Sequence, residues 1–256
     1  MGRKRKQVMT SVLISLCLLF ALDTTQAQQT QDIVAVNISL EKKVITQHEP
    51  TIVTVVFNNL TRQGIDLNLG YGNDAIDIKL VDPEGRAFRK PRPAPQEGMQ
   101  FSNAVHIAPG KDSATSVVLN DWFRFDKVGE YQIEVALSYH DIRDTHATLD
   151  LTVLPRDETS LVSACASLLA RVQDSPSYTG ALTAAKALAG IDDPSVVPFL
   201  AEAMKRKEFA GLIITALSHL KTKNAMKVLT SASESSDSET RNLAQAALSS
   251  LGKEEK

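Results

Sequence analysis

The spacing of apolar residues changes near Pro155 from the period of a strand to the period of a helix. Before this point, apolar and polar positions alternate in short segments rich in Val and Ile, and the run from Ile52 to Phe57 is the clearest. Such alternation predicts half-buried strands. Turn sequences such as Asp82-Pro83-Glu84-Gly85 separate the segments and favour antiparallel strands in a two-sheet sandwich. About eight strands are expected, at residues 33–38, 52–57, 65–69, 76–81, 100–107, 113–119, 130–139 and 147–153.

After Pro155 the apolar residues recur at every third and fourth position, which predicts amphipathic helices. The stripe from Phe209 to Leu220 is the most continuous, and a second stripe contains Cys165 on its inward side. Asp193 before Pro194 is a typical helix start, and Ser236 stands three residues before Glu239, the spacing of a capping box. Six helices in three antiparallel pairs are expected, at residues 158–173, 177–189, 194–205, 208–220, 224–234 and 238–251.

The dipeptide Ala-Leu recurs late in three of these helices, at Ala187-Leu188, Ala216-Leu217 and Ala247-Leu248. About thirty residues separate successive copies, which is the spacing of a helical repeat array. In such an array each helix pair shares its core with its neighbours. Arrays of this kind usually bind other proteins, so the recurrence favours a binding role.

Two phrases in this region resemble the HEAT-repeat family. The residues from Asp192 to Leu200 are similar to its first-helix phrase, and those from Arg241 to Gly252 to its second-helix phrase. The resemblance covers residues 158–252 and implies a short right-handed solenoid whose second helices line a concave binding surface. It also implies that Arg241 pairs with an acidic turn residue. Ala210 stands near the equivalent place in the preceding copy, so the basic ladder of the family is incomplete here.

The segment from Phe123 to Val135 resembles the start of the penultimate strand in bacterial immunoglobulin-like domains. The resemblance covers most of residues 31–154 and implies a tyrosine corner at Tyr131, in which the ring is buried and its hydroxyl donates a hydrogen bond to upstream backbone. The expected fold class is therefore a multidomain chain, β then α. An immunoglobulin-like antiparallel β-sandwich at residues 28–155 precedes a HEAT-like α-helical repeat domain at residues 156–256.

Residues 1–27 have the composition of a signal peptide, with a basic start, an apolar segment from Val8 to Leu22 and a small-residue cleavage site before Gln28. An exported protein, periplasmic or secreted, is expected, and an uncleaved anchor is the alternative. Cleavage removes four basic residues and one acidic residue, which leaves 24 basic and 29 acidic side chains and a net charge of −5. A mildly acidic chain argues against a general nucleic-acid or membrane surface. Cys165 is then the only cysteine, so no internal disulfide is expected.

Residues that could support catalysis are sparse, and no catalytic residue, metal ligand or cofactor is expected. The five histidines form neither a metal-binding helix motif nor a pair with a nucleophile. The segment from His140 to His146 is the exception, because two imidazoles and two carboxylates could converge there at a predicted hairpin tip. A solvated polar turn explains the same residues. An exported hydrolase or metal-binding protein with its site in this hairpin remains an alternative.

The expected function is that of an exported, non-enzymatic protein-binding or scaffolding module. The alternative to binding is a structural role, in which the helices only complete the core of the sandwich. The basic, proline-rich run from Arg86 to Pro95 is expected to be an extended loop, either one that attracts an acidic partner as a second contact surface or one that its charge simply keeps soluble. The expected contact residues are Lys186, Ser218, Asn242 and Gln245 on the second helices, and Arg89, Lys90 and Arg92 in the loop.

Overall fold

The computed structural model describes residues 33–69, 75–91, 104–137 and 145–254. The predicted signal peptide lies outside the described residues. Among the described residues, the β-rich region contains ten strands, two more than expected. They are β1 (Val34–Leu40), β2 (Val44–Thr46), β3 (Ile52–Asn59), β4 (Ile65–Asn68), β5 (Ile76–Val81), β6 (Ala87–Arg89), β7 (Ala104–Ile107), β8 (Asp112–Val118), β9 (Gly129–Leu137) and β10 (His146–Leu154).

The strands form three sheets, ordered β1-β3-β8, β2-β10-β9-β5-β6 and β4-β7. All pairings are antiparallel except one, since β2 runs parallel to β10 with Val44 opposite Thr152. The expectation of purely antiparallel strands is wrong at this position. A parallel pair needs a long connection between its members, and here most of the β-rich region lies between β2 and β10.

The buried core of this region draws on both larger sheets. Along β5 the side chains of Ile76, Ile78 and Leu80 are buried and alternate with more exposed positions. Residues of β3 and β5 belong to one buried cluster, together with the ring of Tyr131. The Tyr131 hydroxyl donates a 3.1 Å hydrogen bond to the carbonyl of Lys127. Burial raises the pKa of Tyr131 to about 12, and the predicted contact between its hydroxyl and upstream backbone is confirmed.

The helical region has six α-helices, in the order expected. They are α1 (Glu158–Asp174), α2 (Tyr178–Ala189), α3 (Val197–Ala203), α4 (Ala210–Leu220), α5 (Lys223–Ala232) and α6 (Ser238–Glu254). Short 3-10 turns at Pro194–Val196 and Lys207–Phe209 precede α3 and α4. The predicted starts of those two helices are therefore these turns. Among the described residues, no helix is long and apolar enough to cross a membrane.

Side-chain caps mark most of the helix starts, although α4 begins after Phe209 without one. Asp193 accepts a hydrogen bond from the amide of Ser195 at 2.9 Å, ahead of Pro194 as expected. The last helix differs from the expectation, because Asp237 and not Ser236 accepts from the amide of Thr240, at 3.0 Å. A carboxylate is the stronger acceptor at a helix start, where it also faces the positive end of the helix dipole.

The described residues form one compact unit, in which the β-rich and helical regions share a core. Ile52 of β3 and Val118 of β8 lie in the same buried cluster as Leu161 and Cys165 of α1. The carboxamide oxygen of Asn120, after β8, accepts a 2.7 Å hydrogen bond from the backbone amide of Thr51, before β3. The first helix pair is thus packed directly on the strands.

Candidate partner-binding surface

A groove lies between α4 and α6, the second helices of the last two pairs. Its volume is about 290 Å³. Apolar side chains of Ile214, Leu243 and Leu251 line it together with Ala247, and hydroxyl and basic side chains join them. The remaining lining residues are Gly211, Thr215, Ser218, His219, Lys221 and Ser250.

Gly211 allows α4 and α6 to approach closely at one end of the groove. Gly211 has no side chain, and a Cβ built there would lie 3.6 Å from Leu243 Cδ1, so α4 and α6 approach closely at this end. Leu243 nevertheless remains 37% exposed. An exposed leucine beside a buried Ile214 gives the groove an apolar floor that water reaches. Single exposed apolar residues are common, but one that lies in a concave surface marks a candidate contact site.

The four contact residues expected on the second helices do not form one surface. Ser218 lines the groove. Asn242 and Gln245 lie on other sides of α6 from Leu243, since each residue turns the helix by about 100°. The Gln245 side chain donates to the carbonyl of Ser233 beyond α5, at 3.4 Å. Lys186 on α2 lies 4.0 Å from Asp121 of the β-rich region.

The β-rich region occupies the end of α2. Gly190, which follows α2, packs so closely that an added Cβ would lie 2.9 Å from Asn120 Cβ. The nearby ion pair of Lys186 with Asp121 crosses the same junction. Partner access to α2 is therefore restricted at this end, whereas the groove between α4 and α6 faces solvent.

The links between successive helix pairs differ from those implied by the HEAT resemblance. Arg241 donates to the carbonyl of Ser235 at 2.8 Å, and this backbone oxygen takes the place of the expected acidic residue. Lys207 reaches Asp237 at 3.0 Å, from one pair to the next. The hydrogen bonds from Thr240 and Lys207 hold the pKa of Asp237 well below its usual range. Arg206 donates to the carbonyl of Val172 in the preceding pair.

Arg206 and Lys207, just before α4, thus supply part of the contacts between helix pairs for which Ala210 has no basic side chain. The sequence carries a signal for one of these links, because Lys207 and Asp237 are separated by thirty residues, which is the spacing of the repeat. The helix phrases alone do not reveal the link between Lys207 and Asp237, because both residues lie outside them.

The basic run from Arg86 to Pro95 begins as a strand, which corrects the expected loop. Residues Ala87–Arg89 form β6 and pair with β5, so backbone hydrogen bonds hold this part in place. Arg86 binds the carboxylate of Asp82, and Arg89 binds that of Asp77. Lys90 follows β6 and donates its backbone amide to Ile78. Arg92 lies outside the described residues.

These ion pairs neutralise part of the charge that was expected to attract a partner. Phe88 packs edge-on against Phe123 at a centroid distance of 5.1 Å. The β6 strand is therefore held to the rest of the β-rich region through both its charges and its ring.

The metal site considered as an alternative spans residues 140–146. Residues 140–144 of this segment lie outside the described residues. His146 is exposed at the start of β10. Within the part of the chain that the structure describes, no group of three or more His, Cys, Asp or Glu side chains could hold a metal ion. Cys165 is buried, and burial raises the pKa of its thiol to about 12, as expected for a structural residue.

Residues 165–249 match the family model described as HEAT repeats. The match begins within α1 and ends within α6, so the helical region is HEAT-like and follows a β-rich region. It covers about a third of the chain. No curated protein matches the sequence.

Several solved structures share a distant likeness with the chain. The CARDB domain of a Pyrococcus furiosus protein, in complex with di-metal ions, is 13% identical over 50% of this chain and 99% of its own, with a TM-score of 0.31. A β-glucosidase from Listeria innocua in complex with isofagomine is 12% identical over 48% of this chain and 16% of that chain, with a TM-score of 0.31.

The alkylpurine DNA glycosylase AlkC of Pseudomonas fluorescens, bound to DNA containing an abasic site analog, is 10% identical. The likeness covers 48% of this chain and 31% of the glycosylase, with a TM-score of 0.31. These likenesses are too distant to bear on what this chain binds or does.

Proposed function

We propose that the chain is an exported, non-enzymatic protein-binding module that holds its partner in the groove between α4 and α6. The observation that carries this proposal is the apolar floor of the groove, with Leu243 exposed beside buried Ile214. Repeat proteins bind through extended surfaces built by neighbouring helices. Packing of the β-rich region on α2 directs a partner to the last two pairs.

The proposal includes the nature of the β-rich region and the cellular location. We take this region to be an immunoglobulin-like sandwich, supported by two mainly antiparallel sheets that contribute to one core and by the buried Tyr131. Export rests on the composition of residues 1–27 alone.

Neighbouring positions on α6 provide a matched test. Leu243→Arg places a charge in the groove, and Asn242→Arg places the same charge on another side of the helix. Both positions are exposed, and an arginine stem tolerates such sites, so both variants should fold. Crosslinking in the exported compartment captures a partner, which is then identified and purified. Binding measured with the purified partner should be at least about tenfold weaker for Leu243→Arg and unchanged for Asn242→Arg.

Equal binding by both variants contradicts the groove as the partner site. If binding instead disappears on changing Arg89 and Lys90, the contact surface lies at β6. Capture of a protein by wild type alone does not locate the contact surface, which the two variants do.

A structural role is a second candidate, and the shared core favours it. Ile52 and Val118 complete the buried cluster of the helices, so the strands and the first helix pair stabilise each other. Short arrays are marginal alone. This role predicts that the regions unfold together, whether or not a partner is bound.

A further inference from the structure

A second cavity lies at the junction of the β-rich region with α1 and has a volume of about 230 Å³. Apolar side chains form much of its lining, from the strand side and from the helix. These residues are Leu40, Ile45, Pro50, Ile52, Ala164 and Leu168. Junctions of this kind are common ligand sites, because two elements supply different walls.

The polar lining contains a buried carboxylate. The Glu49 side chain is 3% exposed, yet it lines the cavity. Its Oε2 accepts the backbone amide of Thr46 at 3.0 Å, which fixes its position. Its Oε1 binds the ammonium group of Lys42. Burying a carboxylate is costly unless such partners are present, so this acceptor is held ready for a cationic donor.

Lys42 indicates that the carboxylate of Glu49 binds an ammonium group. The Lys42 side chain is 55% exposed, so it reaches Glu49 from solvent. Glu49 is buried, so its carboxylate needs a cationic partner, whichever group supplies it. An ammonium group from outside can therefore take the place of Lys42.

Further polar groups surround the same cavity. Thr51 lines it, and its buried Oγ1 makes no hydrogen bond. Ser163 and Ser167 stand one turn apart on α1 and add two hydroxyl groups. Arg171 pairs with Glu41 at 2.8 Å, and this pair joins α1 to the strand side of the cavity. An ammonium group donates in several directions and can use Glu49 together with a hydroxyl oxygen.

We propose that this cavity binds a primary ammonium group carried on a short alkyl chain, with Glu49 as its anionic anchor and Lys42 as the group it displaces. The alkyl chain packs on the apolar lining. The acidic chain favours approach of a cation. A free alkylamine and the lysine side chain of a protein share this chemistry. The site is separate from the groove between α4 and α6.

The test uses n-butylamine, the neutral isostere n-butanol, and a lysine residue blocked at both ends, each titrated into the full chain. Amide shifts in NMR spectra should move around Glu49 and Ser167 with n-butylamine and not with n-butanol. Tighter binding of the blocked lysine assigns the site to a protein side chain, and tighter binding of n-butylamine assigns it to a free amine. Equal shifts with n-butanol, or none with either amine, overturn the proposal.

Matched variants separate the anchor from its competitor. Lys42→Gln should bind n-butylamine about two- to fivefold more tightly, because the internal ammonium is gone. Lys43→Gln removes the same charge at an exposed position that does not line the cavity, and it should leave the affinity unchanged. Glu49→Gln should abolish binding.

Ser167→Leu gives a second route if Glu49→Gln does not fold, because Ser167 is exposed and its replacement fills the cavity from the helix side. Folding of each variant is checked by circular dichroism. Unchanged n-butylamine affinity in both Lys42→Gln and Ser167→Leu overturns the assignment.

Discussion

Asp193 joins two parts of the chain through one buried carboxylate. It accepts from Arg156 in the linker after β10, at 2.7 Å to Nε and 3.2 Å to Nη2. It also caps the turn before α3 through the amide of Ser195. The hydrogen bond from Arg156 lowers the pKa of Asp193 to about 2. Since its folded pKa is depressed, Asp193 stabilises the fold above its unfolded pKa, and this contribution is lost as pH falls toward 2.

We therefore predict a pH-dependent effect for Asp193→Asn. Asparagine keeps the cap but loses the ion pair with Arg156. At pH 7 the free energy of unfolding of the variant should be about 1–2 kcal/mol lower than that of wild type. The expected loss is no larger because Arg156 is partly exposed and solvent screens the ion pair. Urea titrations should show this difference shrinking between about pH 4 and pH 2, where Asp193 becomes protonated in wild type.

The adjacent residue supplies the control. Asp192 is exposed and lies 3.9 Å from Arg124. Asp192→Asn should change the free energy of unfolding by less than about 0.5 kcal/mol at either pH. A pH-independent difference for Asp193→Asn would show that packing, and not the ion pair, sets its contribution.

At the scale of elements, the contact between α2 and the turn at Leu119–Asp121 depends on a glycine. Gly190 has ordinary helical backbone angles, so its role is one of space and not of strain. An added Cβ would lie 3.1 Å from the Asn120 carbonyl oxygen as well as against its side chain. Backbone atoms cannot move aside as easily as a flexible side chain.

Gly190→Ala should accordingly destabilise the chain by about 1–3 kcal/mol, the usual range for overpacking. Gly252→Ala is the matched control, because a Cβ at Gly252 in α6 meets no atom within 4 Å. It should be neutral or slightly stabilising, since alanine favours the helical state. Thermal unfolding of the two variants measures the difference. Equal stability would mean that α2 shifts away from Asn120 without penalty.

The elements that the sequence predicts well are those with local signals. All six helices lie close to their expected positions, because each carries its own apolar stripe. The strands β2 and β6 were missed because each has three residues, too few to show a period. Their pairing depends on distant residues of β10 and β5.

The candidate site was predicted less well than the fold. Exposure can be read from a helical pattern, and Asn242 and Gln245 are exposed as expected. The pattern does not reveal which side of α6 meets α4, nor that the β-rich region packs against the end of α2. Both depend on contacts between elements that are distant in sequence.

At the scale of the whole molecule, the described residues form a single body whose two regions share buried side chains. Ile52 extends from β3 into the cluster made by the helices. Val118 does the same from β8. Arg171 with Glu41 and Arg156 with Asp193 add ion pairs across the same junction. Loss of packing on one side therefore removes contacts from the other.

We predict that Ile52→Ala destabilises the strands and the helices together, by about 2–4 kcal/mol. Trp122 is the only tryptophan and lies in the β-rich region, so its fluorescence reports on that region. Far-ultraviolet circular dichroism reports mainly on the helices. The two signals should give coincident urea transitions in wild type, and both should shift equally in the variant. Leu60→Ala, at a position 58% exposed, should shift neither by more than about 0.5 kcal/mol. Two separate transitions would instead show that the helices fold independently, which would remove the support for a purely structural role.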